Sequence, residues 1–90
     1  MRRIERKLLK INDEIAALTR DEHRVAQELG MLRHLDDDAQ RDAAVGGPLE
    51  RDDARGTSGD VARFERHLAR LGAQREALEQ KRQRLLARLD

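Results

Sequence analysis

Three histidines, a run of three aspartates and one serine are the side chains in this sequence whose types could do chemistry. Histidines that hold a metal or a shuttled proton must share a face at a fixed spacing, as in an HExxH pair. His23, His34 and His67 match no such spacing, and solvated helix histidines are the expectation. Asp36-Asp37-Asp38 has the charge for a cation but lacks the alternating ligands and the turn glycine of a calcium loop. On a helix its carboxylates point in different directions. Ser58 is the only serine, and it falls where a helix is expected to start, so nothing supports a nucleophile. There is no cysteine, which excludes disulfides and thiolate metal sites. Gly46-Gly47-Pro48 reads as a turn and not as a phosphate-cradling loop. The sequence therefore predicts no catalytic residue, no cofactor and no metal, and a protein that is not an enzyme.

The elements that carry these residues are legible from the apolar pattern. Charged residues make up 41% of the 90-residue chain and aromatics 1%, with Phe64 the single aromatic. Strands need β-branched and aromatic residues, so a β or α/β domain is excluded and an all-α fold expected. In the first half, Leu8, Ile15, Glu22 and Leu29 fall at heptad position a, and Ile4, Ile11, Leu18, Val25 and Leu32 at d. In the second half, Val61, Leu68, Arg75, Arg82 and Leu89 fall at a, and Phe64, Leu71, Leu78 and Leu85 at d. An antiparallel register that pairs Leu32 with Val61 also pairs Leu29 with Phe64, Val25 with Leu68, Ile15 with Leu78, Leu8 with Leu85 and Ile4 with Leu89. Its centre falls between Gly46 and Gly47, where the turn residues stand. Two independent patterns thus agree on one antiparallel coiled-coil hairpin.

The expected boundaries are one helix over about 2–45, a turn at 46–48, a short helix over 49–55, a break at 56–59 and a second long helix over about 59–89. Thr57 with Asp60 resembles a capping box for that last helix. Glu22 and Arg75 lie in neighbouring layers and are placed to bridge, whereas Arg82 has no evident seam partner. Toward the turn the seam thins to Asp36, Ala39 and Ala43 against Glu50, Ala54 and Thr57, so a firm stem and a loosely packed, mobile tip are expected.

A two-helix hairpin has a single interface, and the balance of burial against chain entropy for so small a scaffold is close to zero. Pairing into a four-helix bundle, as a homodimer, is therefore expected. Leu9, Met31, Leu35 and Leu86 lie off the seam and could serve that contact or one to another protein, with Gly72 and neighbouring alanines allowing close approach. Charge is segregated: residues 1–10 carry +4, residues 81–90 carry +3 and residues 36–60 carry −5. Arg2, Arg3, Arg6, Lys7, Arg84 and Arg88 form a basic open end; Asp36, Asp37, Asp38, Asp42, Asp52 and Asp53 form an acidic tip. The net charge is only +1 and aromatics for base stacking are missing, which argues against nucleic acid beyond a weak, salt-dependent contact of the basic end. No stretch approaches the ~18 apolar residues of a membrane span, and the basic N-terminus leads into no apolar run. A cytoplasmic protein with no membrane partner is the expectation.

These features point to a protein–protein interaction module: a regulator, adaptor or assembly factor acting through its stem and acidic tip. A hairpin with an acidic tip is similar in shape and tip charge to the stems of Gre-type transcript cleavage factors and DksA-type regulators. Those proteins insert such a hairpin into the secondary channel of RNA polymerase. The resemblance covers hairpin shape and tip charge alone, and the zinc-binding cysteines of the DksA type are missing here. It implies, as an alternative, a transcription regulator contacting RNA polymerase or a sigma factor.

Overall fold

A computed structural model of the chain describes residues 2–89; Met1 and Asp90, with the Asp90 charge counted above, lie outside the described residues. Two helices, α1 (Arg2–Val45) and α2 (Pro48–Ala87), pack against each other as a helical hairpin, with no strand among the described residues. Both helices are rich in Ala, Leu, Glu, Gln and Arg, which lose little freedom in a helix. The only proline, Pro48, stands at the first position of α2, where its missing N–H and fixed φ cost nothing.

The turn is built by its own residues. Glu50 reaches back so that its Oε2 accepts a hydrogen bond from the Gly47 N–H at 2.8 Å. That is the carboxylate half of a capping box, with Gly47 as the cap. The Arg51 N–H then donates to the Gly47 carbonyl at 3.2 Å, closing the first turn of α2. Gly46 is required by crowding: a Cβ there would stand 2.7 Å from the Asp42 carbonyl oxygen and 2.9 Å from the Glu50 Cβ.

One expectation is corrected. The predicted short helix over 49–55, break at 56–59 and new start near 59 do not exist; α2 runs unbroken through Gly56-Thr57-Ser58-Gly59. A helical glycine costs only about 1 kcal/mol relative to alanine, and a long helix with a partner absorbs that. Thr57 and Ser58 turn their hydroxyls to other uses. Thr57 Oγ1 donates to the Ala54 carbonyl or to Asp36, and Ser58 Oγ to Asp36, so Thr57 and Asp60 form no capping box. At its far end α2 stops at Ala87, two residues before the expected 89. The Arg88 N–H bonds the Leu85 carbonyl and the Leu89 N–H that of Leu86, tightening the last turn to i→i+3 spacing.

Packing divides the chain into two compact units, Met1–His23 with Ala69–Asp90, and Arg24–Leu68. In the first, Leu8, Ile11, Ile15 and Leu85 form a buried cluster with Ile4, Leu78 and Leu89 against it. These are the residues that the register pairs. Leu71 is also buried there. In the second unit Val25, Leu29 and Ala54 are buried, with Leu32, Val61, Phe64 and Leu68 half-buried. Every a and d residue predicted for either seam is buried or half-buried.

Candidate functional site

In the first unit the seam residues Glu22 and Arg75 satisfy each other. Arg75 Nε donates to Glu22 Oε1 at 2.5 Å and its Nη1 donates to Glu79 Oε1 at 3.0 Å. The two carboxylates hold the guanidinium still more firmly protonated than usual, through the hydrogen bond to Glu22 first and that to Glu79 second. Gly72 is half-buried beside this pair, and a Cβ there would meet Glu22 Oε2 at 3.6 Å. Arg82, for which the sequence offered no partner, donates through Nη1 to Asn12 Oδ1 at 3.2 Å. The seam polar groups therefore hydrogen-bond across the helix pair, Arg75 to a carboxylate and Arg82 to a neutral amide.

The outside of this unit carries the basic residues. Arg2, Arg3, Arg6, Lys7, Arg84 and Arg88 are all exposed. Lys7, Lys81, Arg84 and Arg88 come together around Leu85 to line one groove, and Arg3, Arg6 and Lys7 line another. Lys7 and Arg88 line the same groove, which places like charges side by side. Leu9 and Leu86 are exposed as well. A further groove is lined by Ala17, Leu18, Ala77 and Leu78 with Glu14 and Gln74.

In the second unit the three consecutive aspartates have different fates. Asp36 is half-buried and accepts three hydrogen bonds at its Oδ1: from Gln40 Nε2 at 3.1 Å, Thr57 Oγ1 at 2.8 Å and Ser58 Oγ at 3.0 Å. Gln40 Nε2 also reaches the Ala54 carbonyl at 3.1 Å and Ser58 Oγ at 2.9 Å. These bonds, that from Gln40 foremost and that from Thr57 next, hold the Asp36 carboxyl below its ordinary pKa of 3.8, against the opposing effect of burial. Asp36 thus works as a tie between α1 and α2. Asp37, Asp38, Asp42, Asp52 and Asp53 are exposed. Asp38 pairs with Arg41, Asp52 with Arg55 and Asp60 with Arg63, each three residues on along the same helix. Asp38, Asp42, Asp52, Asp53 and Asp60 share one groove with Glu50, Leu35 and Gly56. Met31 and Leu35 are exposed, and so are Val45 and Leu49 on either side of the turn.

Sequence reasoning missed the Asp36–Gln40–Thr57–Ser58 network, although its register set Asp36 opposite Thr57. It also left Lys81 out of the basic end and Asp60 out of the acidic tip. The apolar character of the turn, with Val45 90% exposed, was hidden by the charge count. His23, His34 and His67 are exposed. Among the described residues no three His, Asp or Glu side chains are grouped to hold a metal, and no helix is long and apolar enough to cross a membrane.

Compared with protein-family models, curated proteins and solved structures, the chain matches none.

Proposed function

We propose that this chain is a non-catalytic protein–protein interaction module that binds through the outer faces of its hairpin. The observation that carries this reading is the exposure of Leu9, Met31, Leu35 and Leu86 while the a/d seam is already filled. A hairpin of this length needs no further apolar residues for its own seam, and large exposed apolar side chains beside charged grooves are the usual anatomy of a contact surface. The acidic groove around Asp38, Asp42 and Asp53 is the second element of that surface. Asp36 is set aside from it, because its carboxylate is engaged between the helices.

Affinity capture from the host lysate, read by quantitative mass spectrometry, tests the reading. The wild type is compared with Leu9→Gln/Leu86→Gln and with Asp42→Lys/Asp53→Lys, all at exposed positions. A partner enriched by the wild type and lost with one variant set, at unchanged helicity, is the expected result. Recovery of RNA polymerase or a sigma factor would select the transcription-regulator version. Equal recovery by all three forms contradicts the reading.

A further inference from the structure

The whole-chain charge of +1 is the sum of two unlike units. Among the described residues the first unit holds 12 Lys and Arg against 7 Asp and Glu, and the second 7 against 10. The basic excess of the first unit is also concentrated on one side of its helix pair. In an antiparallel coiled coil, positions c and g of both helices share one side and positions b and e the other. Arg3, Lys7 and Lys10 of α1 and Lys81, Arg84 and Arg88 of α2 stand at c and g, and all six are exposed. None of the six makes an ion pair among the described residues. Lys7, Lys81, Arg84 and Arg88 line one groove over Leu85, and Arg3 and Arg6 join Lys7 in a second; no carboxylate lines either. The acids on this side of the unit are Glu14 and Asp21, with Arg70 as a further cation. The register sets Glu14 opposite Lys81, yet no ion pair joins them. The b/e side instead carries Leu9 and Leu86, both exposed.

These features select the chemistry of what would bind there. Unpaired like charges held together attract a polyanion. An acidic protein would need apolar anchors in the middle of its footprint, and the one apolar residue lining the basic groove, Leu85, is 5% exposed. The groove of Ala17, Leu18, Ala77 and Leu78 is bordered by Glu14 and by no cation. A peripheral membrane contact buries apolar side chains in the interface, but Leu9 and Leu86 stand on the other side. A single strand is held by aromatic stacking as well as by charge, and the only aromatic, Phe64, belongs to the second unit. A duplex can be held by phosphate contacts alone. The cations span residues 3–10 and 81–88, about 10 Å at 1.5 Å per residue. Over that length a duplex presents about six phosphates, enough for the four cations of the shared groove.

We infer that the c/g side of the first unit binds the phosphate backbone of a double-stranded nucleic acid. Lys7, Lys81, Arg84 and Arg88 make the contacts, and phosphate contacts carry no sequence information. The inference goes beyond the interaction-module reading. It uses the side opposite Leu9 and Leu86, which stay available to a protein.

Fluorescence anisotropy of a labelled DNA duplex of roughly 20 base pairs, titrated with the full chain, tests it. At about 0.05 M salt the wild type is expected to bind with a Kd of about 100 µM or tighter. Four neutralised phosphates give a slope of log affinity against log salt of about −3.6, a fall of roughly 150-fold between about 0.05 and 0.2 M. Lys7→Gln/Arg84→Gln should roughly halve that slope and weaken binding at 0.05 M roughly 100-fold. Arg51→Gln/Arg66→Gln removes the same charge from exposed residues of the second unit and should bind like the wild type. Far-UV circular dichroism and thermal melts are expected to show Lys7→Gln/Arg84→Gln as helical and as stable as the wild type, since it relieves repulsion. A wild type that leaves the duplex free, equal losses in the two variant pairs, or an unchanged slope in Lys7→Gln/Arg84→Gln overturns the inference. Tighter binding to a single strand of the same length, or displacement of the duplex by phosphatidylserine vesicles, overturns it in favour of that partner. Leu9→Gln/Leu86→Gln should bind the duplex like the wild type. If that variant loses a captured protein while the wild type leaves the duplex free, the duplex inference falls and the module reading stands.

Discussion

Leu85 and Leu86 are neighbours in sequence with opposite environments, so truncating each in turn measures what the seam contributes. Leu85 is 5% exposed and belongs to the cluster with Leu8, Ile11 and Ile15. Leu86 is 44% exposed. Leu→Ala removes three carbons. At about 0.8 kcal/mol for each buried methylene, Leu85→Ala forfeits about 2.4 kcal/mol of transfer free energy. The added cavity cost is small at a two-helix interface, where the facing side chains can close in. Leu86→Ala removes surface that is nearly half in water, and alanine is the better helix former, so its net cost is about 1 kcal/mol or less. For a domain of this size 1 kcal/mol moves the midpoint by about 4–8 °C. Thermal unfolding followed at 222 nm is therefore expected to show a fall of roughly 10–20 °C for Leu85→Ala and of roughly 8 °C or less for Leu86→Ala. Equal shifts, or a larger one for Leu86→Ala, would refute the assignment of Leu85 to the core and Leu86 to the outer face.

Asp36 links stability to acid. Its folded pKa lies below the ordinary 3.8, so its contribution is fully present above that value and is lost as pH falls through the folded value. Asp36→Asn should lower the melting temperature at pH 7, and the gap to wild type should close below about pH 4, measured by melts across that range. Arg75→Leu alone should lower the melting temperature, because it strands the half-buried Glu22. Glu22→Leu with Arg75→Leu should restore it or raise it, while sedimentation and the sharpness of the melt report whether register has been lost. Gly30→Ala and Gly59→Ala meet nothing within 4 Å and should each stabilise by about 0.5–1 kcal/mol in urea unfolding. Gly46→Ala meets the Asp42 carbonyl and the Glu50 side chain and should destabilise.

Much of the fold was legible because the heptad pattern and the turn residues are separate physical constraints that share one solution. The pairing of Leu8 with Leu85 and of Ile15 with Leu78 follows from that register, and the buried cluster of Leu8, Ile11, Ile15 and Leu85 is built from it. The continuity of α2 was not legible. Gly56 and Gly59 weaken a helix locally, but whether they break it depends on what the facing helix offers, and Asp36 and Gln40 offer hydrogen bonds to Thr57 and Ser58. For the candidate site, exposure of Leu9, Met31, Leu35 and Leu86 could be read from their heptad positions, since only a and d face the partner helix. The division of labour among Asp36, Asp37 and Asp38 could be read only in part. Charge counting treats them alike, whereas their positions around the helix send only Asp36 inward.

Each groove and exposed leucine depends on the antiparallel register, and the chain has no native cysteine, so a designed pair reports on it without interference. Leu32→Cys with Val61→Cys joins residues of one layer; Leu32→Cys with Leu68→Cys is offset by one heptad, about 10 Å along the helix axis, beyond the roughly 4.4–6.8 Å Cα separation that a disulfide usually spans. Under mild oxidation, read on non-reducing gels and by peptide mapping, the first pair is predicted to form an intramolecular disulfide and the second to stay reduced. Equal cross-linking of both pairs, or cross-linking of the offset pair alone, would contradict the register and with it the placement of every groove and exposed leucine.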